Sequence, residues 1–486
     1  MGLVALRVGV GLVPGSLAEY ARGETDLRGR RVYRPELTSD PAALGAMDLE
    51  RVHRVLFPAW LLASNDPADG DRASRAALAA LRAEVAKDGN LGALLDELTK
   101  AVAHPRDAAR ARRFDYLIWA WSDYLDRAGV AWRLEPTVHT LSGRRTLHVR
   151  AYRVVATVVA TVGDEACRAR LLSREDRSSM TEPYLGHTAS RSEGALVILD
   201  RTQEFAENQV WAMLNEANDV TLPPLEAAFA RSIRGEAEGA ISPDARALLR
   251  ETSIDRHALL RTARDINDRA RCGSAFRLWH FPSVALPRWT LDLVSSAVAT
   301  NEGPCPAVTA AEASTLAESS GRLWTNERRL QPALLALRAW VVRAVAIHEL
   351  RHAADGGPDG EGVSWTSAPG SRCVGCADVP ATAGLSRAAR GELSAYLTGL
   401  GSPGTAYLSA YQACANAHEG TAVGAAVASL APAVLPEGCT AAPPPDLVDR
   451  ARAFEARLFR RVETITLSEG FPITDLRAAR PIVPPG

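Results

Sequence analysis

Residues 331–355, QPALLALRAWVVRAVAIHELRHAAD, read as the long apolar helix of this chain. Pro332 falls in the first turn, where its missing N–H costs nothing, and Gly356-Gly357-Pro358 stops the helix after Asp355. Near its C-terminal end stands His348-Glu349-Leu350-Arg351-His352, the pattern H-E-x-x-H. Residues four apart on an α-helix stack one turn above the other, so His348 and His352 can present two imidazole nitrogens to one metal ion. Glu349 is turned about 100° from His348 and can reach a water on the ion without being a ligand. The competing reading is two histidines satisfied on a core helix with a solvated glutamate between them.

A catalytic zinc site needs a third protein ligand. A histidine six residues beyond His352 is excluded, because position 358 is Pro. A second helix follows: Ser386 is an N-cap, Gly391-Glu392-Leu393-Ser394-Ala395-Tyr396-Leu397 is its middle, and Gly399 and Gly401-Ser402-Pro403 end it. With H-E-x-x-H, this segment makes residues 326–420 resemble a gluzincin-type zinc metallopeptidase. The resemblance implies Glu392 as third ligand, because that group takes its third ligand from an E-x-x-A or E-x-x-S setting on a second helix. Glu361 and Asp359 are weaker rivals in a Gly-rich loop, and Asp355 is better placed to brace a ligand than to be one. Two departures stand out: Arg351 is charged where these peptidases carry an uncharged residue, and Tyr396 replaces the Asp that often steadies a ligating histidine.

The resemblance further implies one catalytic Zn2+, peptide-bond hydrolysis with Glu349 as general base, and a donor to the developing oxyanion. Tyr396, Tyr407, Tyr411 and His418 are candidates for that donor, and Asp355 and Tyr396 for bracing a histidine; no spacing chooses among them. The expected partner is a peptide or protein substrate. The alternative is a peptidase-like binding or scaffold protein without turnover.

Residues 356–385 form a long loop of Gly, Pro, Ser and Thr, the kind that tends to be a lid or binding loop. It holds Cys373-Val374-Gly375-Cys376, for which a local disulfide is the first reading. A second, structural zinc shared with Cys414 and Cys439 is the next, and two plain thiols the third.

The rest of the chain divides into a lead-in (1–45), a helical region (46–128), an antiparallel β region (129–200), a further helical region (201–325) and the metal-site region (326–486). In 46–128 the spacing of Leu49, Val52, Val55, Leu56, Trp60 and Leu61, and of Phe114, Leu117, Trp121 and Leu125, is helical, and the aromatics there suit a core. Val130–Leu141, Thr146–Val162 and Ala166–Leu172 are rich in Val and Thr and are separated by Ser142-Gly143 and Gly163-Asp164, which predicts an antiparallel meander. Ala195–Asp200 is expected as a further strand, either the short edge against which an extended substrate lies or simply a core strand. Residues 222–300 suggest short helices, and 420–435 a core helix. The fold class expected is therefore α+β, predominantly helical, with a zincin-like active-site helix pair and a small antiparallel β-sheet.

Composition narrows the function classes. The chain has 486 residues, 47% hydrophobic and 23% charged, with a formal net charge of −1. Those values exclude a collagen, a wholly disordered chain and a polytopic membrane protein, and they provide no field to attract nucleic acid. Of its 56 basic residues only Lys87 and Lys100 are lysine. There is no Walker A loop, dinucleotide fingerprint or G-x-S-x-G elbow. Residues 2–18 are mostly apolar and end in Ser16-Leu17-Ala18, which suits a signal or anchor, while Arg7 within the run and the lack of a basic residue before it suit the alternative, a buried N-terminal segment. The first places the protein in the cell envelope or outside, with membrane contact only through that segment; the second places it in the cytoplasm.

Overall fold

A computed structural model describes residues 41–65, 70–103, 108–141, 144–162, 165–176, 185–188, 194–269, 278, 284–300, 308–355, 373, 375–431, 433–459 and 465–467. The expected signal or anchor at 1–18, the turns at Ser142-Gly143 and Gly163-Asp164, and Asp359 and Glu361 lie outside them. The chain is α+β and mostly helical, with one small, curled sheet. It divides into two compact units, and the division falls within two strands, after Thr157 and after Ala169.

The first unit is built from four main helices, α1 (Phe57–Asn65), α2 (Gly70–Val85), α3 (Gly89–Val102) and α4 (Ala108–Arg127). A π-helical turn, Val52–Leu56, leads into α1. On α4, Phe114, Leu117, Ile118, Trp121 and Leu125 are buried at three- and four-residue spacing, so the aromatics form the core of this unit. Asp88 caps α3 by accepting from the Asn90 and Leu91 N–H groups at 2.9 Å, and Tyr124 Oη donates to its other oxygen at 2.7 Å. Strands β1 (Trp132–Leu141) and β2 (Arg144–Val162) pair antiparallel from Trp132↔Arg153 to Leu141↔Arg144. Leu147, Val149 and Ala151 alternate inward along β2 and are buried.

The sheet continues through β3 (Glu165–Arg174), β4 (Gly186–Thr188), β5 (Ala195–Ile198) and β6 (Ile465–Leu467) in the order β1-β2-β3-β5-β4, with β6 on β2. β2–β6 and β4–β5 are antiparallel, like β1–β2, but the sheet as a whole is mixed rather than the purely antiparallel one expected. Of the two readings of Ala195–Asp200, the core strand is the one the sheet bears out and the edge is not. Residues 195–198 lie between β3 and β4, and all four side chains are buried; β4 is the strand at that edge of the sheet. A run of Ala-Leu-Val-Ile has no polar face to offer solvent, which is why it sits inside the sheet.

The second unit contains α5 (Leu199–Phe205), a π-helical turn at Ala206–Val210, α6 (Pro224–Ala240), α7 (Pro243–Arg269), α8 (Arg288–Thr300) and α9 (Ala310–Asp355). After these come α10 (Arg387–Leu400), α11 (Ala406–Asn416), α12 (Ala422–Leu430) and α13 (Leu447–Phe459). Two expectations are corrected here. Residues 224–269 form two long helices of 17 and 27 residues rather than short ones. And α9 does not begin at Pro332; it runs for 46 residues with Pro332 in its interior. An interior proline costs about 3 kcal/mol through its missing N–H and its clash with the preceding turn. Burial offsets that cost: Leu330, Ala333, Leu334 and Leu337 around the proline are in the core, and each fully buried leucine contributes about 1.5–3 kcal/mol. α9 is long and apolar enough to cross a membrane, yet most of that stretch is buried within the protein. Its C-terminal half packs on α10, β4 and β5, which sets the stage for the motif it carries.

Candidate metal centre

Trp340 to Ala353 of α9 are almost all buried, so the two histidines of the motif face protein rather than solvent. His348 and His352 point the same way, as the four-residue spacing requires, and their Nε2 atoms are 3.2 Å apart. α10 crosses this face. Ser386 caps it by accepting from the Ala389 N–H at 3.2 Å, and its middle brings Glu392 to the pair. Glu392 Oε2 is 3.5 Å from His348 Nε2, and Oε1 is 3.7 Å from His352 Nε2. An ion bonded to three such atoms at about 2.0–2.1 Å with tetrahedral angles needs them about 3.3–3.4 Å apart. The three spacings therefore suit one zinc-sized ion, and the N,N,O donor set suits that metal as well. Glu392 keeps 25% of its side chain exposed, so the cluster is reachable from outside.

The charges of the three groups are coupled. Burial works against charge on both Glu392 and His352, but their mutual contacts win: hydrogen bonds and charge from His348 and His352 hold Glu392 far below the usual carboxylate range. His352 is raised by its hydrogen bond to Glu392 and by the charges of Glu349, Glu392 and Asp355. His348 Nδ1 is buried and has no hydrogen-bond partner among the described residues. The His348 ring is held instead by packing, with the Tyr396 ring centroid 4.4 Å away.

Glu349 is buried beside the edge strand. Thr188 Oγ1 lies 2.8 Å from the Glu349 backbone oxygen and 3.3 Å from Oε2. A Cβ added to Gly186 would come within 2.8 Å of Glu349 Cγ. The sequence offered no signal for this contact, since β4 is only three residues long and lies 161 residues from Glu349.

Arg351, the charged departure from the peptidase pattern, is fully buried. Its Nε donates to Asp355 Oδ1 and its Nη1 to Glu455 Oε1, each at 3.0 Å, while Ser394 Oγ donates to Asp355 Oδ2 at 2.6 Å. The Phe459 ring lies under the guanidinium at 5.8 Å. Arg351 thus ties α9 to α13 directly and to α10 through Asp355 and Ser394. Asp355 braces the helix that carries the ligands, and Glu455 on α13 completes the network, a residue the sequence did not single out.

The other predicted residues separate. Tyr396 belongs to the centre and forms a hydrogen bond with Asn416; burial and the nearby Glu392 push its hydroxyl pKa up. Tyr407 donates to the Pro444 and Pro445 oxygens, at 3.3 and 3.1 Å. Tyr411 donates to Gln209 Oε1 at 3.0 Å, and His418 is exposed in the turn after α11. These three are not gathered with the His348–His352–Glu392 cluster, which leaves Tyr396 as the candidate in contact with it. Cys373 pairs with Cys376 in a disulfide and Cys414 with Cys439, which uses up the four cysteines of the alternative zinc site. Gly375 N–H donates to the Leu458 oxygen at 2.8 Å, docking the Cys373–Cys376 turn on the end of α13.

Comparison of the chain with protein-family models, with characterised proteins and with solved structures finds no match.

Proposed function

We infer that the protein is a zinc-dependent metallopeptidase of gluzincin type, with His348, His352 and Glu392 as ligands and Glu349 as general base. The observation that carries the reading is the convergence of three ligand atoms from two helices at near-tetrahedral spacings, with a buried carboxylate one residue from the first ligand. A zinc ion held there supplies a water of pKa near about 7 and a Lewis acid for a carbonyl. The chain's own groups do the rest. Glu349 accepts the proton of the attacking water and returns it to the departing amine nitrogen, so a peptide bond and one water become a carboxylate and an amine. Tyr396 and the Arg351–Asp355–Ser394 network hold the ligand helices in place. Water is kept from the far side by the packed core around Val345, Ile347 and Leu350.

The test is hydrolysis of a mixed set of internally quenched peptides by the zinc-loaded protein, by a chelator-treated sample and by Glu349→Gln. The reading expects cleavage only in the first, with Glu349→Gln still holding its metal. A metal-loaded protein that cleaves no peptide would favour the binding-protein alternative.

A further inference from the structure

A general base is useful only if its carboxylate stays where the proton is, and Glu349 reaches its position through several rotatable bonds. Position 349 is set by the helix; the carboxylate is not. Two features of the edge strand β4 bear on it. Thr188 Oγ1 stands between two acceptors of one residue, 2.8 Å from the Glu349 carbonyl oxygen and 3.3 Å from Oε2. The Glu349 side chain also lies against the bare face of Gly186: a Cβ there would be 2.8 Å from Cγ, closer than real contacts allow, and 3.1 Å from Oε1, besides meeting the Leu196 backbone oxygen at 2.7 Å.

We propose that Thr188 is a positioning residue for Glu349, and that Gly186 provides the clearance that lets the carboxylate lie along β4. The proposal rests on the metallopeptidase reading for its catalytic meaning, but its geometry stands apart from it. The hydroxyl has one hydrogen and two acceptors. It donates to the backbone oxygen at 2.8 Å and reaches Oε2 at 3.3 Å, so one threonine touches Glu349 at both its backbone and its carboxylate. Gly186 and Thr188 are two residues apart on a strand, so they face the same side of the sheet and act on the same side chain.

The experiment uses the full chain in zinc- and cobalt-loaded forms, as wild type, Thr188→Val, Thr188→Ser and Gly186→Ala. Three quantities are read: metal per chain, kcat and KM on quenched peptides, and the dissociation constant of acetohydroxamate from the cobalt protein by visible absorption. Acetohydroxamate chelates the ion and offers a proton that a correctly placed carboxylate accepts. Thr188→Val, which keeps shape and loses the hydroxyl, is expected to retain its metal and KM, lower kcat roughly tenfold or more, and weaken acetohydroxamate several-fold. Thr188→Ser should restore both to within about threefold, and Gly186→Ala, whose methyl would also press on the Leu196 oxygen of β5, should lower kcat at least as far as Thr188→Val. Unchanged kcat and unchanged hydroxamate affinity in Thr188→Val overturn the proposal while leaving the peptidase reading intact. Loss of metal in Thr188→Val, or failure of Thr188→Ser to restore, overturns it in favour of a merely structural contact. A wild type that cleaves no peptide but shows the hydroxamate pattern upholds the positioning role and rejects the peptidase reading. A folded wild type that takes up neither metal overturns both.

Discussion

Both compact units bury histidine, and they do so in opposite ways. In the first, His53 is fully buried in the π-helical turn before α1; its Nδ1 meets the Leu49 oxygen at 2.8 Å, and Trp121 Nε1 donates to its Nε2 at 3.1 Å. The ring stacks on Trp132 at 5.2 Å, and no carboxylate is among these partners. In the second, two Nε2 atoms point at each other and at a carboxylate, and His348 Nδ1 finds no hydrogen-bond partner among the described residues. A histidine whose two nitrogens are closed by a carbonyl and an indole is part of the core and has no lone pair left for an ion. Histidines whose Nε2 atoms converge on a carboxylate bring three ligand-type atoms to one point. The difference separates a histidine closed within the core from a pair that could hold an ion more sharply than burial, which both share.

The largest expected effect breaks the comparison on the ligand side. His352→Ala should weaken zinc binding by at least about a hundredfold, since it removes one of three protein ligands, whereas His53→Ala should leave zinc binding unchanged while lowering stability. Competition with a chromophoric chelator reads both. Next, Glu349→Gln should keep the metal and lose about 10²–10⁴-fold in kcat, the usual share of a general base. Third, Arg351→Met removes the cation from between two buried carboxylates, Asp355 and Glu455; urea denaturation should show a loss of about 3–5 kcal/mol, with weaker zinc binding because α9 and α10 lose their tie.

The fourth prediction sharpens the comparison through pH. Burial lowers His53 from 6.5 to about 4, against the opposing hydrogen bond to Leu49. Folded His53 is neutral, and between pH 4 and 6.5 the unfolded chain binds the proton that the folded one refuses. Its contribution to stability is therefore full above pH 6.5 and is lost as pH falls toward 4, reaching about 3 kcal/mol. Denaturation of wild type and His53→Gln at pH 7 and 4.5 should show the slope in the first and a flatter one in the second. Equal slopes would mean that the acid sensitivity lies elsewhere.

Local rules made part of this legible. The H-E-x-x-H spacing, the Ser386 cap and the apolar periodicity of α9 and α10 are short-range features, and they placed His348, His352 and Glu392 on two helices before any packing was known. The strands at 132–172 were legible for the same reason, through Val and Thr enrichment. What was not legible depends on distant partners. Pro332 reads as a helix start until the core around Leu330 and Leu334 is seen to override it. Arg351 reads as a departure until Glu455, 104 residues later, is found against it. Ala195–Asp200 read as a strand that could be edge or core, whereas the three residues of β4 are too short a run to be read as a strand at all. Pairing order is decided by the whole sheet, and Thr188 became visible only through it.

The central claim is that three side chains from two helices hold one metal ion, and elemental analysis of the purified protein tests it most directly. After incubation with zinc and removal of excess, the wild type should carry one zinc per chain and Glu392→Ala close to none. Because Cys373–Cys376 and Cys414–Cys439 are disulfides, a second zinc is not expected. A folded wild type that carries no zinc, or a Glu392→Ala variant that keeps its full complement, would contradict the account.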